Sequence, residues 1–446
     1  MNSNLVYGIK DKPKFGSMIV FAIQQLLAIM AATIAVPAIV GNGMSASAAL
    51  FGAGVGTLVY QLFTKFRSPV FLGSSFAFIG SMFAAFAGAT SMNLGYLGLL
   101  IGAAFAGLVY VVIALVVKFV GVNWINKLMP AAVIGPTVAI IGLSLAGNAV
   151  GDLRVGKVAT ADPYLCLICG LVTLFTVILC SVFGKKMTKL IPFIIGILAG
   201  YIVAAVFTVI GTFTDNETFK IINFEAFKNM EIFAIPDFTF LTAFKGFGEL
   251  NGQYIATVAV AYIPVAFVVF AEHIADHKNL SSIIGEDLLK EPGLHRTLLG
   301  DGIGSFAGAV FGGCPNTTYG ESVGCVAITR NASVVTITAT AVMAIAISFF
   351  GPFVTFLSSI PNCVMGGVCI TLYGFIAVSG LKMVQKVDLN ENGNLFTVAV
   401  ILICGIGGLT ITFGKVTLTS VACALILGII VNSIVNRNKN NDDKTE

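Results

Sequence analysis

Apolar runs of about twenty residues recur along this chain from Met18 to Val435. Each is long enough to cross a hydrocarbon core of roughly 30 Å as a helix. Water is missing from such a core, so every backbone N–H and C=O there needs a partner within the protein, and helices supply it. Composition agrees: of 446 residues, 57% are hydrophobic and 10% charged, with 49 Gly and a single Trp, at mean hydropathy +0.96. These values exclude a soluble globular domain of this length. The net charge of +4 is scattered over loops and gives no footprint for nucleic acid. The first apolar run begins near Gly16 and is too long for a cleaved signal peptide, so it reads as a retained span.

The runs divide into about fourteen spans: 17–40, 46–64, 70–89, 95–117, 130–149, 163–183, 190–212, 241–272, 296–313, 316–330, 333–357, 361–381, 394–412 and 416–436. With the N-terminus inside, every Lys and Arg falls on the inner side except Arg154, Lys157, Lys220, Lys228, Lys245 and Lys415. One span more or fewer would reverse every later loop and erase this asymmetry. The positive-inside rule therefore supports the count and places both termini in the cytoplasm. The largest outer loop, 213–240, is acidic, with Asp215, Glu217, Glu225, Glu231 and Asp237. The expected fold is an all-α polytopic membrane protein.

A repeat runs through the spans. Met129-Pro-Ala-Ala-Val133-Ile-Gly135 is matched by Ile360-Pro-Asn-Cys-Val364-Met-Gly366 at the same offsets. The first opens span five and the second span twelve, seven spans later. An odd number of spans inverts the second copy in the membrane, and inverted repeats are a hallmark of secondary transporters. Spans three and ten are then equivalent. They hold Leu72-Gly-Ser-Ser-Phe-Ala-Phe78 and Pro315-Asn-Thr-Thr-Tyr-Gly-Glu321. Ser, Thr and aromatic residues favour extended backbone, and Gly and Pro discourage helix. Each span is expected to be a short extended piece followed by a half-helix. Backbone of that kind survives at membrane depth only when buried in protein or lining a cavity.

Two carboxylates mark the same region. Glu321 lies in span ten, and Glu272 ends the apolar run 262–271. A carboxylate in such surroundings marks a substrate or ion pathway by default. Asp276 shares a helix face with Glu272, while His273 and His277 occupy an adjacent face. Lys278-Asn-Leu-Ser-Ser282 reads as the start of an inner loop, which would leave Asp276 and His277 at a solvated helix end. A membrane-embedded metalloenzyme built on Glu272, His273, Asp276 and His277 is a remote alternative, because neither His-Glu-x-x-His nor a third histidine cluster is present. Cys166-x-x-Cys169 has no matching second pair, and its residues read as small apolar ones. No disulfide, metal or cofactor is expected. A channel is a further class, against which broken spans in an inverted repeat favour alternating access.

These residues also carry a resemblance. The chain resembles the nucleobase–ascorbate transporter family over nearly its whole length, and within it the bacterial uracil permeases. The resemblance rests on Gln25, Ala32-Thr33, Gly73-Ser-Ser-Phe-Ala-Phe78, Ala271-Glu-His-Ile274, Asp287-Leu-Leu, Pro292-Gly-Leu-His-Arg296, Pro315-Asn-Thr-Thr-Tyr-Gly-Glu321, Pro361-x-x-Val-Met-Gly-Gly367 and Leu372-Tyr-Gly374. The family signature, acid or Gln followed by Asn-x-Gly-x4-Thr-Arg, appears as Glu321-Ser322-Val-Gly324-x4-Thr329-Arg330, with Ser322 in place of Asn.

The resemblance implies a core domain (17–118 and 241–357) and a gate domain (119–212 and 358–436), with tails 1–16 and 437–446 in the cytoplasm of a bacterial cell. It implies that Glu272 and Glu321 bind the ring N–H groups of uracil. Backbone N–H groups of Phe76 and Gly320 would receive the ring carbonyls, and Ala32, Tyr319 and Tyr373 would line the pocket. It implies proton symport, with Glu272, Asp276 and Ser75 in the coupling path, and a homodimer. Asp276 is then expected one turn below Glu272, where it would orient span three through Ser74 or Ser75. Uracil permeases often carry His where this chain has Asp276, which is similar to the purine-transporting branch. A xanthine or purine carrier, or sodium coupling, is the nearest alternative. On the residues alone, a carboxylate pair plus two amide donors matches the two N–H and two carbonyl groups of uracil.

Overall fold

The computed structural model describes residues 5–121, 129–185, 187–228, 230–413 and 416–435. Of the basic residues that orient the chain, Lys127, Lys186, Lys415, Arg437, Lys439 and Lys444 lie outside them, as does the tail 437–446. The first half folds as α1 (Phe15–Val40), α2 (Ala46–Phe63), β1 (Leu72–Ser74), α3 (Ile79–Ala87), α4 (Met92–Val120), α5 (Ala131–Ser144), α6 (Ala146–Asp152), α7 (Pro163–Phe183) and α8 (Pro192–Phe213). The second half begins with α9 (Gly252–Ile284), α10 (Leu294–Gly312), β2 (Asn316–Thr318), α11 (Gly320–Thr329) and α12 (Val334–Ile347). It continues with α13 (Gly351–Ser359), α14 (Asn362–Val384), α15 (Asn392–Ile406), β3 (Ile411–Phe413), β4 (Val416–Leu418) and α16 (Ser420–Val435). Among the described residues, eight helices are long and apolar enough to cross a membrane, counting α5 and α6 as one, and four shorter apolar helices accompany them. The protein is an all-helical integral membrane protein.

Several helices start at a polar cap. Ser45 Oγ accepts from Ala48 N (3.2 Å), Ser91 Oγ from Leu94 N (3.1 Å) and Asn251 Oδ1 from Tyr254 N (2.9 Å). Each cap satisfies one of the N–H groups that a helix start leaves without a partner. Between helices, small residues bring backbones into contact. A Cβ on Gly56 of α2 would lie 2.7 Å from Gly304 O of α10, and one on Gly380 of α14 would lie 2.5 Å from Gly135 O of α5. In lipid, where apolar burial does not drive helices together, such close packing does. The two segments that revealed the sequence repeat, opening α5 and α14, thus belong to helices packed on each other.

Four boundaries depart from the sequence reading. Span eight is not 241–272: a short helix (Thr239–Ala243) and a 3-10 turn (Phe244–Glu249) come first, and α9 runs 33 residues to Ile284, closed by Gly285 at φ 77°. The polar string after His277 is helix, because His277, Leu280 and Ile284 form one buried face. Span eleven is two helices, since Pro352 in the first turn of α13 lacks the N–H that would continue α12. Span fourteen starts at Ser420, and the preceding residues form a hairpin, Ile411 opposite Leu418 and Phe413 opposite Val416. Its β-branched and aromatic residues favour strand. Finally, residues 5–14 are not a free tail but fold onto 330–334.

Candidate functional site

Spans three and ten are extended pieces followed by half-helices, as their composition predicts, and they cross. β1 and β2 pair antiparallel, with Leu72 opposite Thr318, Gly73 opposite Thr317 and Ser74 opposite Asn316. Ser75 N donates to Pro315 O (2.9 Å) and Tyr319 OH to Ser74 O (2.8 Å). The crossing requires glycine at position 73, because a Cβ there would enter the Tyr319 ring. From the crossing, a 3-10 turn Phe76–Phe78 leads into α3, and Tyr319 leads into α11. Phe76 and Gly320 are therefore the first residues of two half-helices. Their N–H groups lack the partner four residues back that a longer helix would supply, and they carry the positive end of each helix dipole.

These starts open onto a cavity of about 360 Å³ that also receives Glu272, Asp276 and Glu321. Ser75, Tyr319 and Gly320 line it, and α5, α8 and α14 close the opposite wall with Val138, Ile141, Phe193 and Phe375. Three carboxyl groups face this space, and among the described residues no Lys, Arg or His lines it. Burying negative charge without a cation is costly, and a bound proton is the smallest charge that offsets it. The cavity is of the size and mixed lining of small-molecule sites.

The sequence placed Asp276 beside Ser74 or Ser75. The structure gives it a different partner: Thr318 Oγ1 donates to Asp276 Oδ2 at 2.7 Å, tying α9 to β2. Two expected pocket residues sit elsewhere. Ala32 is fully buried on α1, outside the cavity wall, and Tyr373 stands behind Phe76, their rings edge to face at 6.1 Å. Ser322, the departure from the family signature, also faces away. Its Oγ accepts from Gln25 Nε2 (2.6 Å) and Phe71 N (3.3 Å), joining α11 to α1 and to the approach of β1.

The two histidines of α9 are buried on the side away from the cavity. His273 Nδ1 pairs with Asp301 Oδ2 at 2.7 Å, and its Nε2 lies 3.0 Å from Thr297 Oγ1, whose own proton goes to Leu294 O. His277 Nδ1 donates to His273 O (2.8 Å), and its Nε2 meets Tyr60 OH (2.8 Å). All four ring nitrogens are thus engaged by protein and lie apart from the cavity that Glu272 and Asp276 face, which takes both histidines out of the metalloenzyme alternative. Asp301 was missed in the sequence. Its one signal there is an acid between Gly300 and Gly302 in an otherwise uncharged stretch.

Crossed half-helices that point their N-termini at a carboxylate-lined cavity, inside a bundle of apolar helices, define a membrane transporter. Solved structures show the same fold. The transmembrane domain of a cyanobacterium bicarbonate transporter, BicA, matches with a TM-score of 0.62 at 15% identity, over 95% of this chain and 99% of that one. The murine anion transporter Slc26a9 in its inward-facing state matches with a TM-score of 0.67 at 13% identity, over 96% of this chain and 69% of the other. The profile of the Permease family covers residues 16–414. The chain belongs to this family, the nucleobase–ascorbate transporters. Uracil permease from Bacillus subtilis is 38% identical over 436 residues, 96% of this chain and 94% of the relative. Uracil permease from Bacillus caldolyticus is 39% identical over 433 residues, with the same coverage, and that of Escherichia coli is 35% identical over 426 residues, 95% and 92%.

Proposed function

We propose that this protein imports uracil by proton symport with alternating access. The observation that carries the reading is one cavity faced by Glu272 of α9 and Glu321 of α11, with two half-helix starts opening into it. Uracil presents two N–H donors and two carbonyl acceptors. Glu272 and Glu321 would accept the former, and the N–H groups of Phe76 and Gly320 would donate to the latter. Tyr319 and Ser75 complete the wall, while Tyr373 and Ala32 support it from behind. The naming of full-length relatives as uracil permeases supports the substrate.

The fourteen segments form two inverted seven-span repeats, with 17–118 and 241–357 as core and 119–212 and 358–436 as gate. Equivalent elements meeting each other support this reading: β1 on β2, α2 on α10, α5 on α14. The central cavity shares Phe76, Ala77 and Ile141 with a second cavity of about 460 Å³, and Ala275 and Met383 with a third of about 700 Å³. Each boundary joins the core to the gate, so sliding one domain past the other opens one side as it closes the other. Both termini face the cytoplasm of a bacterial cell, and the protein works as a homodimer.

Two experiments test substrate and coupling. Unlabelled uracil is expected to compete with labelled uracil uptake at least about tenfold better than xanthine, cytosine or uric acid, because a mismatched donor pattern leaves buried polar groups unpaired. Asp276, shared with the purine branch, makes xanthine the second reading, and stronger competition by xanthine would establish it. In sodium-free sealed vesicles, an acid-outside pH gradient is expected to drive uracil accumulation. Uptake that requires sodium and ignores an uncoupler would remove proton coupling and leave the substrate assignment standing.

A further inference from the structure

The N-terminal segment is folded against the base of the half-helix that carries Glu321. Val6 N and Tyr7 N donate to Arg330 O (2.8 and 3.4 Å), while Ala332 N donates back to Tyr7 O (2.9 Å) and Val334 N to Ile9 O (3.1 Å). Ser333 Oγ donates to Asp11 O (2.6 Å), and Gly8 N to Asp11 Oδ2 (2.7 Å), which turns the segment back. Ile9 is 5% exposed and packs in a cluster with Tyr60 of α2, Leu72 of β1, Leu280 and Ile284 of α9, and Val323 and Val326 of α11. The segment is thus strapped to the chain that leaves α11 and plugged into the junction of four core elements.

α11 has ten residues, too few to be stable alone. Its direction is therefore set by what holds its two ends. Near the cavity, Ser322 is held by Gln25 and Phe71. At the other end, Arg330 leaves the helix at φ 56°, and its carbonyl is the acceptor of the strap. Glu321 sits nine residues from Arg330, about 13 Å along the axis, so a small tilt at the base moves its carboxylate. We propose that residues 6–11 are a positioning strap that fixes the tilt of α11 and thereby sets the affinity of the site. The proposal rests on reading Glu321 as a substrate ligand, but half of its test does not.

The test uses the purified full-length protein. Val6→Pro removes one strap donor at a side chain that is 58% exposed. Ile9→Asp puts a charge into the apolar cluster, and Ile9→Val is the conservative control. Backbone hydrogen exchange over 320–334 is expected to rise about tenfold in the first two variants while 131–152 is unchanged. KM for uracil is expected to rise about tenfold with kcat within about twofold, the pattern of lost ground-state binding, and Ile9→Val is expected to match wild type. Unchanged exchange in Val6→Pro overturns the strap, and if Ile9→Asp does not fold, Val6→Pro decides alone. Faster exchange with unchanged KM also overturns the proposal, because the strap would then be structural only. If the wild-type protein neither binds nor carries uracil, that counts against the proposed function, and exchange alone judges the strap.

Discussion

Glu272→Gln and Glu321→Gln are each expected to lower uracil affinity at least about a hundredfold, roughly 3 kcal/mol, without loss of folded protein. The reason is directional. A carboxylate only accepts, whereas an amide turned the same way can present N–H to the ring N–H. If these carboxylates hold the ring as proposed, the change removes a charge-assisted hydrogen bond and sets donor against donor. Fold is expected to be spared because both side chains face the cavity. Equilibrium binding of labelled uracil to purified protein measures the loss, and the thermal melt checks the fold. Wild-type affinity in either variant would remove that residue from the site. The double variant is expected to lose little more than the worse single one, since the ring needs both contacts at once.

What the sequence made legible follows from how strongly lipid constrains a chain. The extended pieces of spans three and ten could be read because Gly73, Pro315 and the Ser/Thr residues around them make poor helix in a place where only helix or protected backbone survives. Glu272 and Glu321 could be read because charge is rare in such runs. What could not be read depends on partners far away in the chain. Lys278-Asn279 looks like a loop, yet α9 continues because Leu280 and Ile284 pack with Ile9 and Tyr60, more than 200 residues earlier. The partner of Asp276 was misassigned for a related reason. Extended segments at a crossing present both β1 and β2 to α9, and helix periodicity cannot say which hydroxyl is nearer. Ala32 and Tyr373 were carried over by resemblance, and resemblance transfers position along the chain without saying which face a side chain takes. Asp301 and the N-terminal strap left no periodic signal, because each is defined by what it touches.

The Asp276–Thr318 contact allows coupling to be separated from binding. Asp276→Asn keeps an amide oxygen that can accept from Thr318 Oγ1, so the tie between α9 and β2 survives while the proton-binding group is lost. Thr318→Val does the opposite, deleting the hydroxyl in a side chain of similar shape and leaving the carboxyl group in place. If Asp276 carries the proton, Asp276→Asn is expected to cut pH-driven uracil accumulation at least about tenfold and shift the pH optimum of uptake, while equilibrium binding stays within about threefold. Thr318→Val is expected to weaken binding about tenfold, the worth of roughly one buried charge-assisted hydrogen bond, with accumulation still following the pH gradient. Asp276→His should retain substantial activity, since a histidine also takes up and releases a proton near neutral pH. Gradient-driven uptake measured beside equilibrium binding for both variants decides the matter. Equal losses in both assays for Asp276→Asn would make the residue a brace for β2. No loss in either would return it to an ordinary polar residue at the cavity mouth. A split between the two assays, reversed in Thr318→Val, is what a proton site tied to the substrate strand by one hydrogen bond must give, because binding reads the position of β2 and accumulation reads the proton.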